Sequence, residues 1–122
     1  MSVGTHGIGW FEIATDDPAG AERFYGDLFG WSVTADGDPA AYRFVTTPAD
    51  GSIRGGIVEA HGPAGGYAIF YVVVPDVDAA CRAAEAAGGK VLVPPADQDG
   101  LRLAHLRDPA GNRFGVYTPP TG

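Results

Sequence analysis

One predicted strand of this 122-residue chain carries a tryptophan and a glutamate on the same face. Another predicted strand carries two tyrosines on one face, with an isoleucine between them. Trp10 and Glu12 are two residues apart and therefore share one strand face, and Tyr67 and Tyr71 share a face for the same reason. A carboxyl group among aromatic rings loses contact with water and becomes suited to proton transfer, and a phenol can donate to a carbonyl oxygen. The spacing therefore makes Glu12 and Tyr71 candidates for an acid and a base.

Each candidate residue could instead have a purely structural role. Glu12 could instead form an ion pair with a strand neighbour such as Arg113 or Arg54. Tyr71 could be a packing residue whose hydroxyl bonds to the backbone, and Trp10 could fill space rather than stack on a ligand. The sequence leaves these alternatives open.

Other residues with reactive side chains have spacings that predict little chemistry. Cys81 is the single cysteine, lies in an alanine-rich segment and is expected to be a small buried residue. No serine stands beside a histidine, so no nucleophile and base are paired in sequence. His6, His61 and His105 lie far apart, and nothing predicts that they converge on a metal. The stretch from Asp108 to Asn112 carries an acid and an amide, but it is typical of a hairpin turn.

Two strand–turn–helix passages of the chain are near-duplicates that share one register. Asp17 matches Asp76 and Gly30 matches Gly89, and both pairs are 59 residues apart. Asp before a helix caps free amides, and Gly ends a helix in the left-handed conformation. The chain therefore predicts an α+β fold of two βαβββ modules in one domain, residues 1–122, with module one about 6–60 and module two about 66–118. Strands are predicted over 8–14, 31–34, 41–46, 53–59, 67–74, 91–93, 101–106 and 113–117, and helices over 18–29 and 76–87.

Charge and hydropathy limit the partners of this chain. Eight basic and fifteen acidic residues give a net charge of −7, and Lys90 is the only lysine. The negative electrostatic field of such a chain disfavours binding to nucleic acid and to anionic membranes. It would attract a cationic ligand only if acidic groups were concentrated in a pocket. No apolar run approaches the ~20 residues that span a bilayer, and the first nine residues lack a signal core. We expect a cytoplasmic protein.

Three segments carry a family resemblance: D-D-P-A-G-A-E-R-F-Y-G-D-L-F-G-W at 16–31, V-P-D-V-D-A-A at 74–80 and D-P-A-G-N-R-F-G-V-Y at 108–117. With them the chain resembles the vicinal oxygen chelate superfamily, which includes glyoxalase I, extradiol dioxygenases, methylmalonyl-CoA epimerases, and fosfomycin and bleomycin resistance proteins. The resemblance covers nearly the whole chain and implies that the two modules form cupped mixed β-sheets. It is a signal of fold rather than of reaction, since this fold carries many functions.

The metal enzymes of that superfamily place His, Glu or Gln ligands on the first and last strand of each module. By the resemblance, two of these positions fall on Trp10 and Ile69 and a third on Gly115, none of which has a donor. The fourth lies between Gly56 and Glu59, and a lone Glu59 would not hold a cation against water. We therefore expect no metal and no other cofactor.

If Trp10 occupies a ligand position, its side chain points into the cup. Every second residue of the same strand then points into the cup as well. The cup is then an aromatic pocket with few polar groups, as is usual for a small-molecule site. Two further residues, Tyr42 and Arg102, lie on strands whose inward face the sequence does not fix. The candidate ligand-binding residues are Trp10, Glu12, Tyr42, Tyr67, Ile69, Tyr71, Arg102, Arg113 and Tyr117.

Four functions compete for this sequence. The first is a metal-independent protein that binds an aromatic or carbonyl-containing metabolite or drug, resembling the bleomycin resistance proteins. The second is a metal-independent isomerase, cyclase or lyase with Glu12 and Tyr71 as acid and base. A metal-dependent glyoxalase or dioxygenase is less expected, and a purely structural or interaction role is the remaining alternative. Whether the chain is an enzyme stays open. A homodimer is expected because so short a chain has few residues left to cover the open face of each cupped sheet.

Overall fold

The computed structural model describes residues 4–34, 42–60, 65–98 and 100–119. Residues 35–41 and 61–64, which include the D-G-D-P segment of the sequence and His61, lie outside the described residues.

The described residues form a mixed α+β fold in the predicted βαβββ order, twice over. Neither of the helices described is long and apolar enough to cross a membrane. The elements are β1 (Ile8–Thr15), α1 (Pro18–Phe29), β2 (Ser32–Thr34), β3 (Arg43–Thr46), β4 (Arg54–Glu59), β5 (Tyr67–Val73), α2 (Val77–Ala86), β6 (Lys90–Gln98), β7 (Leu101–Arg107) and β8 (Arg113–Thr118).

The chain divides into two compact units. The first unit is Trp10–Ile69, and the second unit combines Met1–Gly9 with Phe70–Gly122. The predicted module bounds, 6–60 and 66–118, stay predictions.

In the first unit the strands follow the order β2-β3-β4-β1. The β1–β4 pair is parallel and the other pairs are antiparallel. Val45 and Ile57 are completely buried, and Phe11 and Tyr25 pack on Trp31 with ring centroids 5.4 and 5.1 Å away. The helix α1 begins where Asp17 accepts a hydrogen bond from the amide of residue 20, as the sequence predicts.

In the second unit the order is β5-β8-β7-β6, with β5–β8 parallel and the other pairs antiparallel. One face of this sheet packs on α2, which begins where Asp76 accepts from the amide of Ala79. The buried cluster on that face consists of Val74, Val77, Cys81, Ala104, Leu106 and Val116.

The second helix ends differently from the predicted alignment. The left-handed residue after α2 is Gly88, with φ 97°, whereas Gly30 with φ 74° ends α1. The amide of Gly88 donates to Glu85 and that of Gly89 to Ala84, the paired bonds of a Schellman motif. Matching Gly30 with Gly89 was therefore wrong by one residue, because the second helix closes with this motif one residue earlier.

The turn between β7 and β8 agrees with the sequence. The Asp108 carboxylate accepts from the amides of Ala110 and Asn112 at 3.0 and 2.9 Å, and Gly111 has φ 98°. These bonds, from Asn112 first, hold the pKa of Asp108 below its usual range. The hairpin prediction for this segment is confirmed.

The strand β6 is longer than the sequence predicts. It continues past residue 93 through Pro94 and Pro95 to Gln98, and its register against β7 shifts between Val93 and Ala96. Prolines have no amide to give to a ladder, and the irregularity places them where no such bond is needed.

Candidate functional site

A buried carboxylate is the centre of a polar network in the first unit. Glu12 is only 8% exposed, and it lies on β1 directly opposite Gly56 of β4. Its Oε1 accepts a hydrogen bond from the Tyr42 hydroxyl at 2.9 Å, and its Oε2 accepts from the Tyr67 hydroxyl at 2.7 Å. Two phenols therefore stabilise the charge of a group that burial would otherwise penalise.

Three hydrogen bonds of this network run in series or directly toward Glu12. The indole Nε1 of Trp10 can only donate, and it donates to the Tyr42 hydroxyl at 2.9 Å. Tyr42 accepts from Trp10 and passes its own proton to Glu12. Burial, and secondly the charge of Glu12, hold the pKa of Tyr42 far above its usual value, so that Tyr42 stays a neutral donor.

A glycine makes room for this arrangement. A Cβ on Gly56 would collide with the ring of Tyr42, which lies across that position. Phe44 of β3 pairs with Gly56 and is 44% exposed, and its ring lies 5.3 Å from Tyr42 and 6.2 Å from Trp10 between centroids. The same strand face thus presents exposed aromatic area next to a buried carboxylate.

The second unit contains its own buried network. The Tyr71 hydroxyl lies 2.6 Å from Nε2 of His105, and Nδ1 of His105 lies 3.0 Å from Nη1 of Arg113. Tyr71 and His105 are 5% and 6% exposed. The ring of Tyr117 stands edge-on to Tyr71 with centroids 6.0 Å apart, and burial raises the pKa of Tyr117.

The centres of the two networks occupy equivalent repeat positions. Glu12 and Tyr71 are 59 residues apart, the same offset as that of the helix N-caps Asp17 and Asp76. Glu12 pairs with Gly56 and Tyr71 pairs with Gly115, and these glycines are also 59 apart. A Cβ on Gly115 would collide with the Tyr71 ring, so a glycine admits an aromatic ring in each unit.

Most of the residues that the sequence singled out belong to one of these two networks. Ile69 is a buried aliphatic residue of β5, at 9% exposure. The first unit brings together Trp10, Glu12, Tyr42 and Tyr67, and the second brings together Tyr71, Arg113 and Tyr117.

Arg102 is a charged candidate that belongs to neither network. It pairs with Thr118 across β7 and β8, whereas His105 pairs with Gly115, and an odd spacing on one strand puts the two side chains on opposite faces. The Arg102 guanidinium donates hydrogen bonds to the carboxylates of Asp78 at 2.9 Å and Asp97 at 3.0 Å. These bonds raise the pKa of Arg102, and Arg102 lowers the pKa of Asp78. It borders an open hollow of about 320 Å³ that neither network lines; the hollow is lined by Asp97, Gly100, Leu101, Arg102, Thr118 and Pro119.

His105 is the residue whose place sequence reasoning missed. From the sequence alone, His105 was considered only as one of three widely spaced histidines. A signal was nevertheless present, because the turn from Asp108 to Asn112 fixes the register of the hairpin and sets His105 opposite Gly115. Cross-strand partners share a face, so an inward Gly115 implies an inward His105.

The residues at the expected metal positions offer no side-chain atoms that can coordinate a cation. Trp10 offers an N–H donor, and neither Ile69 nor Gly115 has any ligand atom. The 59-residue offset now assigns the fourth position to Gly56, which also lacks a side chain. Within 4–34, 42–60, 65–98 and 100–119, no three His, Cys, Asp or Glu residues are grouped so as to hold a metal ion. That the protein works without a metal stays a prediction.

Curated relatives of the chain are longer proteins. It is 35% identical over 124 residues to the anthracycline biosynthesis protein DnrV of Streptomyces peucetius, across 88% of this chain and 45% of DnrV. It is 29% identical over 114 residues to "Putative glyoxylase CFP32" of Mycobacterium tuberculosis, across 88% of this chain and 44% of that protein. The chain thus spans less than half the length of these relatives.

A solved structure and a family profile agree on the fold. The methylmalonyl-CoA epimerase of Mycobacterium tuberculosis superposes with a TM-score of 0.66 at 17% identity, covering 99% of this chain and 94% of the epimerase. The profile of the Glyoxalase/Bleomycin resistance protein/Dioxygenase superfamily matches residues 7–116. The resemblance found in the sequence is confirmed, and the chain belongs to the Glyoxalase/Bleomycin resistance protein/Dioxygenase superfamily.

Proposed function

We propose that this protein binds an aromatic, carbonyl- or hydroxyl-bearing small molecule without a metal, on the strand face that carries Trp10, Glu12, Tyr42 and Phe44. The observation that carries the proposal is the buried carboxylate of Glu12, which two tyrosine hydroxyls hold beside the exposed ring of Phe44 and the half-buried ring of Trp10.

The two parts of this face have separate tasks. The rings of Trp10 and Phe44 offer flat apolar area, which supplies most of the binding free energy for an aromatic ligand. The Glu12 carboxylate is an acceptor, so it orients a ligand hydroxyl or another donor. A few fixed polar groups on an apolar surface are the usual composition of a small-molecule site.

The name of one relative supports a polycyclic ligand. DnrV is a protein of anthracycline biosynthesis, and anthracyclines are polycyclic aromatic ketones. Because the chain spans under half of DnrV, we carry over only this ligand class. Resistance-type sequestration is one use of such binding.

Fluorescence of the two tryptophans tests the proposal. Trp10 lies on the proposed face, whereas Trp31 packs on Phe11 and Tyr25 on the side of α1. We would titrate metal-free protein with hydroxymethylanthraquinone, using Trp31→Phe to report Trp10 and Trp10→Phe to report Trp31. Saturable quenching of Trp10 with little change at Trp31 is expected. Equal, unsaturable quenching of both would show that the face is not a binding site.

A second candidate is a metal-independent isomerase, cyclase or lyase. Its specific support is that the hydroxyls of Tyr42 and Tyr67 both donate to Glu12, which stabilises a carboxylate that can accept a proton from a ligand. Tyr71 is the proposed proton donor, and it belongs to the other network. The Glu12→Gln variant separates the two candidates: a catalyst would lose turnover of its substrate and still bind it, whereas a binder would show no turnover in either form.

A further inference from the structure

An arginine at the start of β4 shares a strand face with Trp10. Arg54 is the first residue of β4, it is exposed, and the register of the parallel β1–β4 pair sets it opposite Trp10. Paired residues of neighbouring strands lie about 5 Å apart and leave the sheet on the same side. Gly56, two residues further along β4, is on this side as well, and the ring of Tyr42 lies across it. Arg54 therefore stands at one end of the proposed binding face.

Arg54 has no partner in the part of the chain that the structure describes. It forms no ion pair, hydrogen bond or ring contact there, so the ion pair with Glu12 that the sequence left open is not formed. Arg43 on the neighbouring strand is different, because its guanidinium donates to Glu22 at 2.7 Å. The donors of Arg54 are therefore available to a group from outside the chain.

The chemistry of Arg54 suits an anionic substituent on a flat ligand. A guanidinium presents five donors in a planar fork, which matches the two oxygens of a carboxylate. The rings of Trp10 and Phe44, with centroids 6.2 Å apart, offer the apolar area for an aromatic ring system. Because Arg54 is paired with Trp10, a carboxylate attached to a ring on Trp10 is within reach of the guanidinium.

The net charge of the chain does not prevent this contact. A charge of −7 repels anions at long range, but at physiological ionic strength exposed charges more than about 8 Å apart are largely screened. On the same face, hydrogen bonds from the hydroxyls of Tyr42 and Tyr67 partly offset the charge of the Glu12 carboxylate. Affinity for an anion at this end of the face therefore depends mainly on its contact with Arg54.

We infer that Arg54 is a specificity-determining residue that binds a carboxylate of the aromatic ligand. The inference rests on the proposed function and adds the class of ligand, which is an aromatic acid rather than a neutral molecule with the same rings. All the residues that it uses belong to the first unit, Trp10–Ile69.

Two probes that differ by one charged group test the inference. Anthraquinone carboxylate carries the anion, and hydroxymethylanthraquinone has the same rings without it. Each is titrated into Trp31→Phe protein while Trp10 fluorescence is followed. We expect the carboxylate to bind about fivefold more tightly, which corresponds to about 1 kcal/mol for an exposed ion pair. Arg54→Met should remove this preference by weakening binding of the carboxylate, and Arg54→Lys should keep part of it, because lysine has the charge without the planar fork.

The substitution Arg23→Met is the matched control. Arg23 is exposed on α1 and also has no ion pair within the described residues, so its loss changes the net charge equally at a distance from the proposed face. We expect Arg23→Met to retain the fivefold preference. An equal fall of the preference in Arg23→Met and Arg54→Met would show that net charge selects the carboxylate, and the inference would be wrong.

The outcomes separate this inference from the proposed function. If both probes bind the Trp31→Phe protein with equal affinity, the role of Arg54 is refuted and aromatic binding stands. If neither probe gives saturable quenching, the proposed function fails, and the inference fails with it. Added salt should narrow the preference, because it screens an exposed ion pair, and a preference that salt leaves unchanged would contradict the pair. Melting temperatures identify losses due to unfolding, and Arg54→Gln replaces Arg54→Met if the latter does not fold.

Discussion

At the scale of single residues, the cost of burying Glu12 explains why three aromatic residues carry polar atoms around it. An isolated carboxylate at 8% exposure would be strongly penalised, and the hydroxyls of Tyr42 and Tyr67 offset that penalty. Trp10 completes the network by satisfying Tyr42. Each donor is therefore needed for stability as well as for any ligand.

Removing one donor should expose this dependence. Tyr67→Phe deletes a hydrogen bond to a charged acceptor, and we expect the free energy of unfolding to fall by about 1.5–3 kcal/mol. In the Glu12→Gln background the same change should cost less, because the buried charge is gone. Urea unfolding of the wild type, both single variants and the double variant measures the coupling. A loss from Tyr67→Phe that is the same in both backgrounds would contradict the network.

The raised pKa of Tyr42 predicts a loss of stability in alkali. Below the unfolded pKa, 10.0, Tyr42 is protonated in both states. Above it the unfolded chain loses the proton while the folded protein keeps it, so the free energy of unfolding falls by up to about 1.4 kcal/mol per pH unit. In Tyr42→Phe this share of the slope should vanish between pH ~10 and ~11. An unchanged slope in that variant would show that Tyr42 ionises normally in the fold.

At the scale of elements, local chemistry decides what could be predicted. Asp17 and Asp76 begin their helices, and Asp108 closes its turn, because short side chains bond to amides a few residues away. Interactions between strands were harder: the face of Arg102 and the role of His105 depend on the register of β7 against β8, which no short segment contains. The network around Glu12 likewise needed the position of Tyr42, 30 residues along the chain.

The glycine on β4 provides a test of strand packing. Gly56→Ala places a methyl group against the Tyr42 ring, and we expect a loss of about 1–3 kcal/mol together with weaker binding of the quinone probe. Gly26→Ala is the matched control, since its Cβ meets nothing closer than 3.4 Å and it lies within a helix. That change should be neutral or stabilising by up to about 1 kcal/mol. Equal effects of the two substitutions would contradict the close approach of Tyr42.

At the scale of the whole molecule, the family fixes the fold and leaves the reaction open. Epimerases, glyoxalases and resistance proteins share this architecture, so function has to be argued from the side chains that line a site. The relatives DnrV and CFP32 are more than twice the matched length, so more chain accompanies the corresponding segment in them.

The homodimer expected from the sequence stays a prediction at this scale. Phe24 and Leu28 lie one turn apart on α1 and are 60% and 57% exposed, an apolar surface that a second copy could cover. Sedimentation equilibrium should give twice the chain mass of 12.6 kDa, and Leu28→Glu should shift it toward the monomer. A monomer at all concentrations would refute the dimer.

Metal-independent binding at the Glu12 face is tested most directly by one titration. Trp31→Phe protein, dialysed against a chelator, is titrated with hydroxymethylanthraquinone while Trp10 fluorescence is followed. We expect saturable quenching with one probe per chain, and we expect it to be unchanged when zinc, nickel, cobalt, manganese or iron(II) is added. Binding that appears only after a metal is added, or no saturable binding at all, would contradict it.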